Sequence, residues 1–595
     1  MSLPIVRALV VTEDWPYIVN GGFLSWPGQA VPDAYSVEHS REFHLGEFLK
    51  VLTETVWSGF TLEITRAHRT QPNTPPQNLT EADLKADRGA DVVGFRFGAP
   101  FVVAGVNRTL ADYDMVLFFG INPVDPDAAL QPEAVAIARF MENGGGFFAT
   151  GDHENLGSSL AGIIPRVRSM RRWHFTSGAP VAPPSRGPTR IDTTRPGPDG
   201  IVNFEDQSDE FPQPIEPTLY GAGITVRSGY IAHRYLPHPL LCSPQGMVTW
   251  LPDHMHEGLC EVPDNLAART FTIGSDTLKE YPDYAPSGQA AQPLAPVIVA
   301  NGKVLPGTTS PALDPVHTGG IDPAQGRTFG VIGAWDGHLV GKGRVVVDST
   351  FHHFFNINLT GDRYLERDSL GPQHEQKKHG FYVPDSNGVR VPTASYQMIM
   401  WYYRNIVYWL IPAGRRATHW WFQLADIAVR PKLKEELAQL RYVEQLRNLT
   451  LNDFYYFGQL AEAYLTAARG YCSTYTIQVE LFEPRIPWWE WIQEEVKVWD
   501  PIDPATRGRQ EIEQERLDGA LGIGPRASSL MTLTLGAALV TAFIGQNRAR
   551  DRELGMTDHM DEVFSIAVEH LRGGLLSSID RGRRTMGKLE KVVSR

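Results

Sequence analysis

Residues 5 to 150 alternate short apolar runs with helical patterns, and this alternation constrains the fold more than any other feature of the chain. Short apolar runs are typical of buried strands, and apolar residues at helical spacing between them indicate helices. Strand, helix and strand in this order favour parallel pairing with right-handed crossovers. The sequence therefore predicts an open parallel α/β sheet. The predicted strands are Ile5–Val11, Phe60–Arg66, Asp114–Gly120 and Phe147–Thr150, and the predicted helices are Glu42–Leu52 and Pro132–Asn143.

The pattern breaks down between about residues 176 and 320, where segments rich in Pro and Gly are too irregular for regular elements. We expect this insertion to be partly disordered or to fold over the sheet as a lid. Strands return at Thr328–Ala334 and Arg344–Ser349, and the chain becomes helical and aromatic beyond residue 390.

A chain of 595 residues is too long for one compact core. We predict an α/β domain over residues 1–385, including the insertion, and a helical C-terminal domain over 386–595. The predicted C-terminal helices are Tyr396–Ile411, Lys432–Arg447, Leu451–Arg469, Trp488–Trp499, Leu530–Arg550 and Met560–Arg572, with a basic, frayed tail after Arg581.

Bulk composition narrows the class of protein. The net charge of -13 argues against a nucleic-acid binder. The three cysteines of this long chain are not a disulfide framework, so we expect a reducing compartment. The N-terminus has no secretory signal pattern, and a cytoplasmic location follows as an expectation. The most apolar run, Leu530–Ile544, is too short to span a bilayer and predicts a buried helix.

Asp152, His153 and Glu154 directly follow the predicted strand Phe147–Thr150. Catalytic groups in open parallel sheets gather beyond the carboxyl ends of the strands, so this loop is the first candidate site. A structural alternative is that Asp152 or Asn155 caps a helix.

A second cluster lies within the insertion. His254, His256 and Glu257 place two imidazoles on the same side of an extended chain, with a carboxylate next to them. This donor set suits a transition metal, above all zinc, although a polar loop with hydrogen-bonded histidines explains it equally well.

The third cluster, His352 and His353, comes shortly after Asp348 at the end of another predicted strand. If the three clusters converge, one divalent metal with three or four protein ligands and an open position is feasible. The expected ligands are His153, His254, His256, His352 and His353. The candidate catalytic residues are Asp152, Glu154, Glu257 and His352, with Glu154 or Glu257 as a base on a bound water.

Two other features favour structural roles. The run Arg166–Arg172 holds four arginines and could bind an anionic substrate, but a solvated helix face is the favoured interpretation. Cys260 follows Glu257 closely, yet nothing around it predicts the elbow that a nucleophile needs.

The run from Tyr113 to Gly157, which contains NGGGFFATGDHENLG, is similar to the class I glutamine amidotransferase-like superfamily and most of all to its ThuA-like (trehalose-utilisation) branch. The run Gly341–Val347 followed by His352 resembles the strand and histidine that close the site in that branch. The resemblance implies a flavodoxin-like sheet, a site at residues 151–154 with His352, and a sugar-related or other small polar substrate. The turn holds no cysteine, so glutamine hydrolysis through a thioester is excluded.

The leading interpretation is a metal-assisted hydrolase or related enzyme acting on a small polar substrate, for which a carbohydrate-related molecule is one candidate. One alternative is a non-catalytic binding or assembly protein that forms homo-oligomers through its C-terminal helices. Another is a metal-free hydrolase that uses His352 with Asp152.

Overall fold

The computed structural model describes residues 3–13, 44–73, 80–122, 128–151, 156–172, 195–196, 202–203, 213–227, 230–252, 259–285, 290–304, 327–361, 380–440, 442–470, 472–486, 527–549 and 556–593. Within these residues, eleven strands form one sheet. They are β1 (Ile5–Thr12), β2 (Thr61–His68), β3 (Val92–Val93), β4 (Met115–Phe119), β5 (Gly146–Thr150), β6 (Arg171–Arg172), β7 (Glu216–Pro217), β8 (Leu259–Cys260), β9 (Val297–Val304), β10 (Arg327–Trp335) and β11 (Val345–Asp348).

The sheet is mixed rather than purely parallel. Its order is β7-β9-β10-β11-β5-β4-β1-β2-β3, and β8 joins β10 to β6. The six strands from β11 to β3 run parallel, as the alternation predicts. At the other end β9 and β10 pair antiparallel. The link from Trp335 to Val345 is too short for a crossover, so β10 and β11 run in opposite directions.

Helices cover both faces of the sheet and continue into a separate bundle. They are α1 (Gly46–Glu54), α2 (Glu81–Arg88), α3 (Gln131–Glu142), α4 (Ser158–Ala161), α5 (Val167–Met170), α6 (Asn356–Thr360), α7 (Ala394–Leu410), α8 (Ala413–Ala428), α9 (Pro431–Leu437), α10 (Leu451–Arg469), α11 (Cys472–Ile477, continued as a π-helix over Gln478–Phe482), α12 (Ala527–Ala549) and α13 (Met556–Val593).

Each face of the sheet has its own hydrophobic layer. Val10 and Phe148 point to the layer that contains α1 and α7. Their neighbours Leu9 and Phe147 point to the opposite layer, which contains α3, α4 and α5. The strands are apolar on both faces because both faces are buried.

Short elements complete the described chain. Two-stranded antiparallel sheets pair Phe101–Val103 with Val106–Arg108, Arg195–Pro196 with Val202–Asn203, Gln213–Pro214 with Trp250–Leu251, Leu219–Arg227 with Tyr230–Pro237, Cys242–Ser243 with Gly246–Met247, Thr270–Ile273 with Asp276–Lys279, Asp283–Tyr284 with Gln292–Pro293, and Tyr382–Pro384 with Arg390–Pro392. Short 3-10 helices occur at Leu110–Asp112, Ala128–Leu130, Pro239–Leu241, Leu266–Ala268, Gly337–Val340, Phe351–His353 and Val443–Asn448.

α7 lies along the sheet from the carboxyl edge of the parallel strands to their amino edge. Tyr402, in its middle, contacts Asp348 at the end of β11. Its last residue, Leu410, packs so closely on the start of β5 that a Cβ at Gly146 would lie 2.3 Å from the Leu410 carbonyl oxygen. The hydrophobic core of the sheet therefore extends to Ile411. A second core begins at Trp420 and is built by the helices that follow.

The bundle meets the amino edge of the sheet through buried charges. Glu480, on the π-helix, has Oε1 3.2 Å from Arg344 Nη1, just before β11, and 2.7 Å from Arg416 Nη1 on α8. Its Oε2 accepts a 2.7 Å hydrogen bond from Trp420 Nε1. Burial raises the pKa of Glu480 to about 7 in spite of the opposing effect of the Arg344 guanidinium. The Glu480–Arg344 ion pair fixes the junction between the bundle and the sheet, because separating the two groups would leave charges buried without partners.

A disulfide joins Cys242, in the insertion, to Cys472 at the start of α11. The expectation of unpaired cysteines is therefore wrong for these two, while Cys260 is a buried free thiol. The two partners are 230 residues apart, and only the fold brings them together. The cysteine argument for a reducing compartment loses its basis, and the cytoplasmic location stays a prediction.

The C-terminal helices differ from the predictions at two places, and a third prediction is not tested. The predicted helix Lys432–Arg447 is broken, since α9 ends at Leu437 and a 3-10 helix starts at Val443. The tail predicted to be frayed is helical as far as Val593. The predicted helix Trp488–Trp499 lies outside the described residues.

α12 confirms the expected buried helix at Leu530–Ile544. It crosses α10 so closely that a Cβ at Gly536 would lie 1.8 Å from the Phe454 carbonyl oxygen. Among the helices that the structure describes, none combines the length and apolarity needed to cross a bilayer.

Candidate functional site

The carboxyl ends of β1, β4, β5 and β11 lie side by side at one edge of the sheet. Thr12 is level with Phe119, and Phe119 is level with Thr150. Ala149 is level with Val347, which places Asp348 in the same row as Thr150. Alternation then directs Thr12, Thr150 and Asp348 to the same face. This edge is where an open α/β sheet binds its ligands.

Most of the predicted site residues lie outside the described residues. This holds for two of the three clusters, whose members are Asp152, His153, Glu154, His254, His256 and Glu257. The described residues next to both clusters nevertheless lie at the same corner of the sheet. Gly151 directly follows β5. Cys260, three residues after the second cluster, has its Sγ 3.4 Å from the Val347 carbonyl oxygen on β11.

His353 is the predicted residue whose surroundings point most directly to chemistry. Its Nδ1 lies 2.8 Å from Asp348 Oδ1, and both side chains are fully buried. Tyr402 donates a 2.6 Å hydrogen bond to Asp348 Oδ2, and Tyr403 donates to the His353 carbonyl oxygen. Asp348 therefore meets the imidazole of His353 at Nδ1, the side on which a carboxylate commonly orients a functional histidine.

The sequence between Asp348 and His353 explains this geometry. β11 ends at Asp348, and the Thr350 N–H donates to Asp348 Oδ1 over 3.2 Å. The Thr350 side chain then accepts from the His352 N–H and caps the single turn Phe351–His353. That turn brings the imidazole of His353 back to the carboxylate.

His352 has a different environment from His353. Its ring stacks on Phe351 at 4.9 Å, and its Nδ1 lies 3.3 Å from the amide nitrogen of Asn358. An amide nitrogen can only donate, so Nδ1 of His352 is the acceptor in this contact.

The structure tests the metal site only in part. Within the described ranges, no three His, Cys, Asp or Glu side chains come together in a way that could hold a metal ion. The convergence of the three clusters stays a prediction, because the other two lie outside those ranges.

An ion network at the same edge was not found from the sequence. Glu13, directly after β1, accepts from the Ile121 and Asn122 N–H groups over 3.1 and 2.9 Å. Arg69, directly after β2, lies 3.3 Å from Glu13 and makes a bidentate pair with Glu133 at 2.5 and 3.0 Å. The sequence signal for this network is a charged residue immediately after a buried strand, as Glu13 follows β1 and Arg69 follows β2.

Three hydroxyl groups at this edge are buried. They belong to Thr12, Thr150 and Ser349, at or just past the ends of β1, β5 and β11. In the part of the chain that the structure describes, none of the three oxygens has a hydrogen-bond partner. Buried polar groups normally have partners, so these oxygens indicate that a polar group belongs next to them.

Cys260 is not placed to act as a nucleophile. It is buried, and burial raises the pKa of its thiol well above the usual range. A nucleophilic thiol needs the opposite shift and access to substrate.

The predicted solvated face at Arg166–Arg172 is wrong for two of its arginines. Arg166 and Arg171 are buried. Arg166 pairs with Glu142 at 2.5 Å, and Arg171 donates to the Ser349 carbonyl oxygen over 2.7 Å. Arginine is rarely buried without such partners, and here they come from distant parts of the chain.

Compared with known proteins, the chain matches no family model, no curated protein sequence and no solved structure.

Proposed function

We propose that this protein is a hydrolase that binds a small polar substrate at the carboxyl edge of its parallel strands. The observation that carries the proposal is the 2.8 Å contact between His353 Nδ1 and Asp348 at the end of β11. A carboxylate on Nδ1 holds an imidazole in the orientation that a general base requires. His353 would be the general base, with Asp348 as its positioning residue.

The polar character of the substrate is proposed from the edge itself. The hydroxyl groups of Thr12 and Thr150 share the face of Asp348 and are buried. A substrate with hydroxyl or carbonyl groups would satisfy them, whereas an apolar substrate would leave them unpaired at a cost of about 1–3 kcal/mol each. A carbohydrate-related molecule has the required groups.

The metal-assisted form is a version of the same proposal. His353 fits such a site, because a metal-binding histidine usually contacts a carboxylate through its other ring nitrogen. His153, His254 and His256 would be the further ligands, with Glu154 or Glu257 near them as a base. A bound zinc ion would act as a Lewis acid and make water more nucleophilic.

We also propose the flavodoxin-like fold and the ThuA-like, amidotransferase-like relationship. With the two-residue β3 set aside, the parallel strands follow the order 2-1-3-4-5 along the chain, which is the flavodoxin-like order. The position of Gly151 after β5 supports the placement of the Asp152–His153–Glu154 turn at that edge.

Activity against three chromogenic substrates tests the proposal: p-nitrophenyl acetate, p-nitrophenyl phosphate and p-nitrophenyl glucoside. We expect turnover of at least one of them, and a loss of about 100-fold or more in kcat/KM for His353→Gln. His570→Gln is the matched control, because His570 lies in the bundle and contacts the Leu449 carbonyl oxygen. Equal effects of both substitutions would contradict the role of His353.

Elemental analysis of the purified protein separates the two versions. The metal-assisted version predicts near-stoichiometric zinc that is reduced in His353→Gln and His254→Gln. Full activity in chelator without bound metal would favour the metal-free version. A folded protein with neither activity nor metal would favour the non-catalytic alternative.

A further inference from the structure

The last helix of the chain extends beyond the bundle that its first half helps to build. α13 spans Met556–Val593 and has 38 residues, which is about 57 Å of helix. Its fully buried residues end at Leu571. We call residues 576–593 the projecting segment. Leu576 and Ile579, at its start, are 55% and 39% exposed.

The helix has open space around it at this point. A Cβ at Gly573, just before the segment, or at Gly582, within it, would meet nothing within 4 Å in the described part of the chain. The contrast with Gly536 in the bundle is direct, since a Cβ there would lie 1.8 Å from a backbone oxygen. The projecting segment therefore offers its surface to an external partner.

The sequence of the segment is amphipathic and basic. In the sequence, Ile579, Met586 and Val593 recur at seven-residue spacing, a pattern typical of an apolar stripe along a helix. Residues 576–593 contain five Lys or Arg and two Asp or Glu, although the whole chain carries a net charge of -13. Arg581 and Arg584, outside that apolar face, are exposed. Positive charge is thus concentrated on a segment that, among the described residues, extends beyond the bundle of an acidic protein.

The basic and apolar residues of the projecting segment distinguish between three possible partners: a second copy of the chain, a nucleic acid and an anionic bilayer. Pairing with the same helix of a second copy would bring two basic segments together, and like charges repel. A nucleic acid would attract the arginines but would leave the exposed Leu576 and Ile579 without apolar contacts. An anionic bilayer can bind both kinds of side chain, because apolar side chains enter the interface while basic ones contact the lipid headgroups.

We propose that the projecting segment of α13 lies on the surface of an anionic membrane and attaches the protein there. The acidic remainder of the chain would be repelled by the same surface. The segment would therefore be the part of the described chain that touches the lipid, with the sheet and its site held away from it. The proposal does not depend on the hydrolase activity.

Vesicle flotation with the full-length protein tests this inference. Vesicles of phosphatidylcholine alone are compared with vesicles that also hold about 30 mol% phosphatidylglycerol. We expect the protein to float with the anionic vesicles and not with the neutral ones. Salt at about 0.5 M should release it, because it screens the attraction.

Substitutions in the projecting segment test whether α13 is the part of the protein that binds the vesicles. Arg581→Glu combined with Arg584→Glu should weaken binding at least about tenfold, and Ile579→Ser should weaken it on the same vesicles. Arg447→Glu, which changes an exposed arginine of the bundle, should bind as the unchanged protein does. All variants should keep the melting temperature, because the substituted residues lie outside the cores.

Three outcomes would overturn the proposal. One is binding to neutral and anionic vesicles alike, or to neither. Another is a dimer in light scattering that Ile579→Ser converts to a monomer, which would assign the segment to a second copy. The third is tighter binding to duplex DNA than to anionic vesicles at the same salt concentration.

Discussion

Tyr402 donates a 2.6 Å hydrogen bond to Oδ2 of Asp348, and both groups are buried. The bond ties α7 to the last parallel strand of the sheet, at the end where the candidate site lies. It also gives Asp348 a second contact beside His353 Nδ1, which lies 2.8 Å away, so the carboxylate is held in place from the side of α7.

Removal of this hydroxyl should destabilise the protein. We expect Tyr402→Phe to lower the free energy of unfolding by about 1.5–3 kcal/mol, because a buried hydrogen bond to a charged group is lost. Urea unfolding measures the change. Tyr456→Phe is the matched control, since Tyr456 donates to Glu436 at the exposed surface and should matter by about 0.5 kcal/mol or less. Equal losses in the two variants would contradict a special role for Tyr402.

Buried histidines should make the fold sensitive to mild acid. Burial lowers the pKa of His238 and His338 to about 3, and that of His419 well below its usual range. These rings stay neutral in the folded protein and become protonated on unfolding, so their contribution is present above about pH 6.5 and is lost as the pH falls. Each contributes a slope of up to about 1.4 kcal/mol per pH unit below that point.

Glu480 opposes this trend. Its pKa is raised by burial to about 7, so its contribution is present at low pH and is lost as the pH rises towards 7. The pH-dependent contributions of the three histidines to the free energy of unfolding exceed that of the one glutamate. We therefore expect a net loss of stability as the pH falls from 6.5 to 5. Denaturant unfolding across this range measures it, and His338→Gln should reduce the slope. A stability that does not change between pH 6.5 and 5 would contradict the prediction.

The Cys242–Cys472 disulfide should stabilise the attachment of the bundle. It closes a loop of 230 residues, and its removal should cost about 2–5 kcal/mol. We expect dithiothreitol to lower the stability of the unchanged protein but not that of the variant Cys242→Ser with Cys472→Ser. A similar effect of the reductant on both proteins would show that the disulfide is not the group responsible.

Two glycine substitutions should have opposite signs. Gly536→Ala places a methyl group against the Phe454 carbonyl oxygen, where α12 crosses α10, and should cost about 1–3 kcal/mol or more. Gly573→Ala has open space in a helix and should stabilise by up to about 1 kcal/mol. Thermal unfolding followed by circular dichroism checks both. A destabilising Gly573→Ala would mean that this part of α13 is packed against something.

Individual strands and helices were predictable where one pattern of residues in the sequence determines where the element begins and ends. The predicted strand Ile5–Val11 and helix Leu451–Arg469 agree with β1 and α10 within one residue. Burial on both faces makes β1 continuously apolar, and Thr450 with Asp453 forms a capping box that starts α10. The position of His353 near Asp348 was also predictable, because both follow one strand.

The contacts that complete the site come from distant parts of the chain. Tyr402 is 54 residues after Asp348, in a helix assigned from the sequence to the C-terminal domain. Arg171 is buried because it meets the Ser349 carbonyl oxygen, 178 residues away. Composition and spacing describe neighbours along the chain, so they cannot reveal a partner that only the folded sheet supplies.

The placement of α7 has a consequence for how such a chain can be divided or recombined. A shorter chain that ends at residue 385 would lack this helix and leave one face of the sheet, with Phe148 and Phe354, open to solvent and aggregation. A chain that ends after Ile411 would keep the helix but lose Glu480, the bundle's partner of Arg344. The sheet and the bundle are therefore not interchangeable modules, and gene fusions or domain swaps between them should yield insoluble protein.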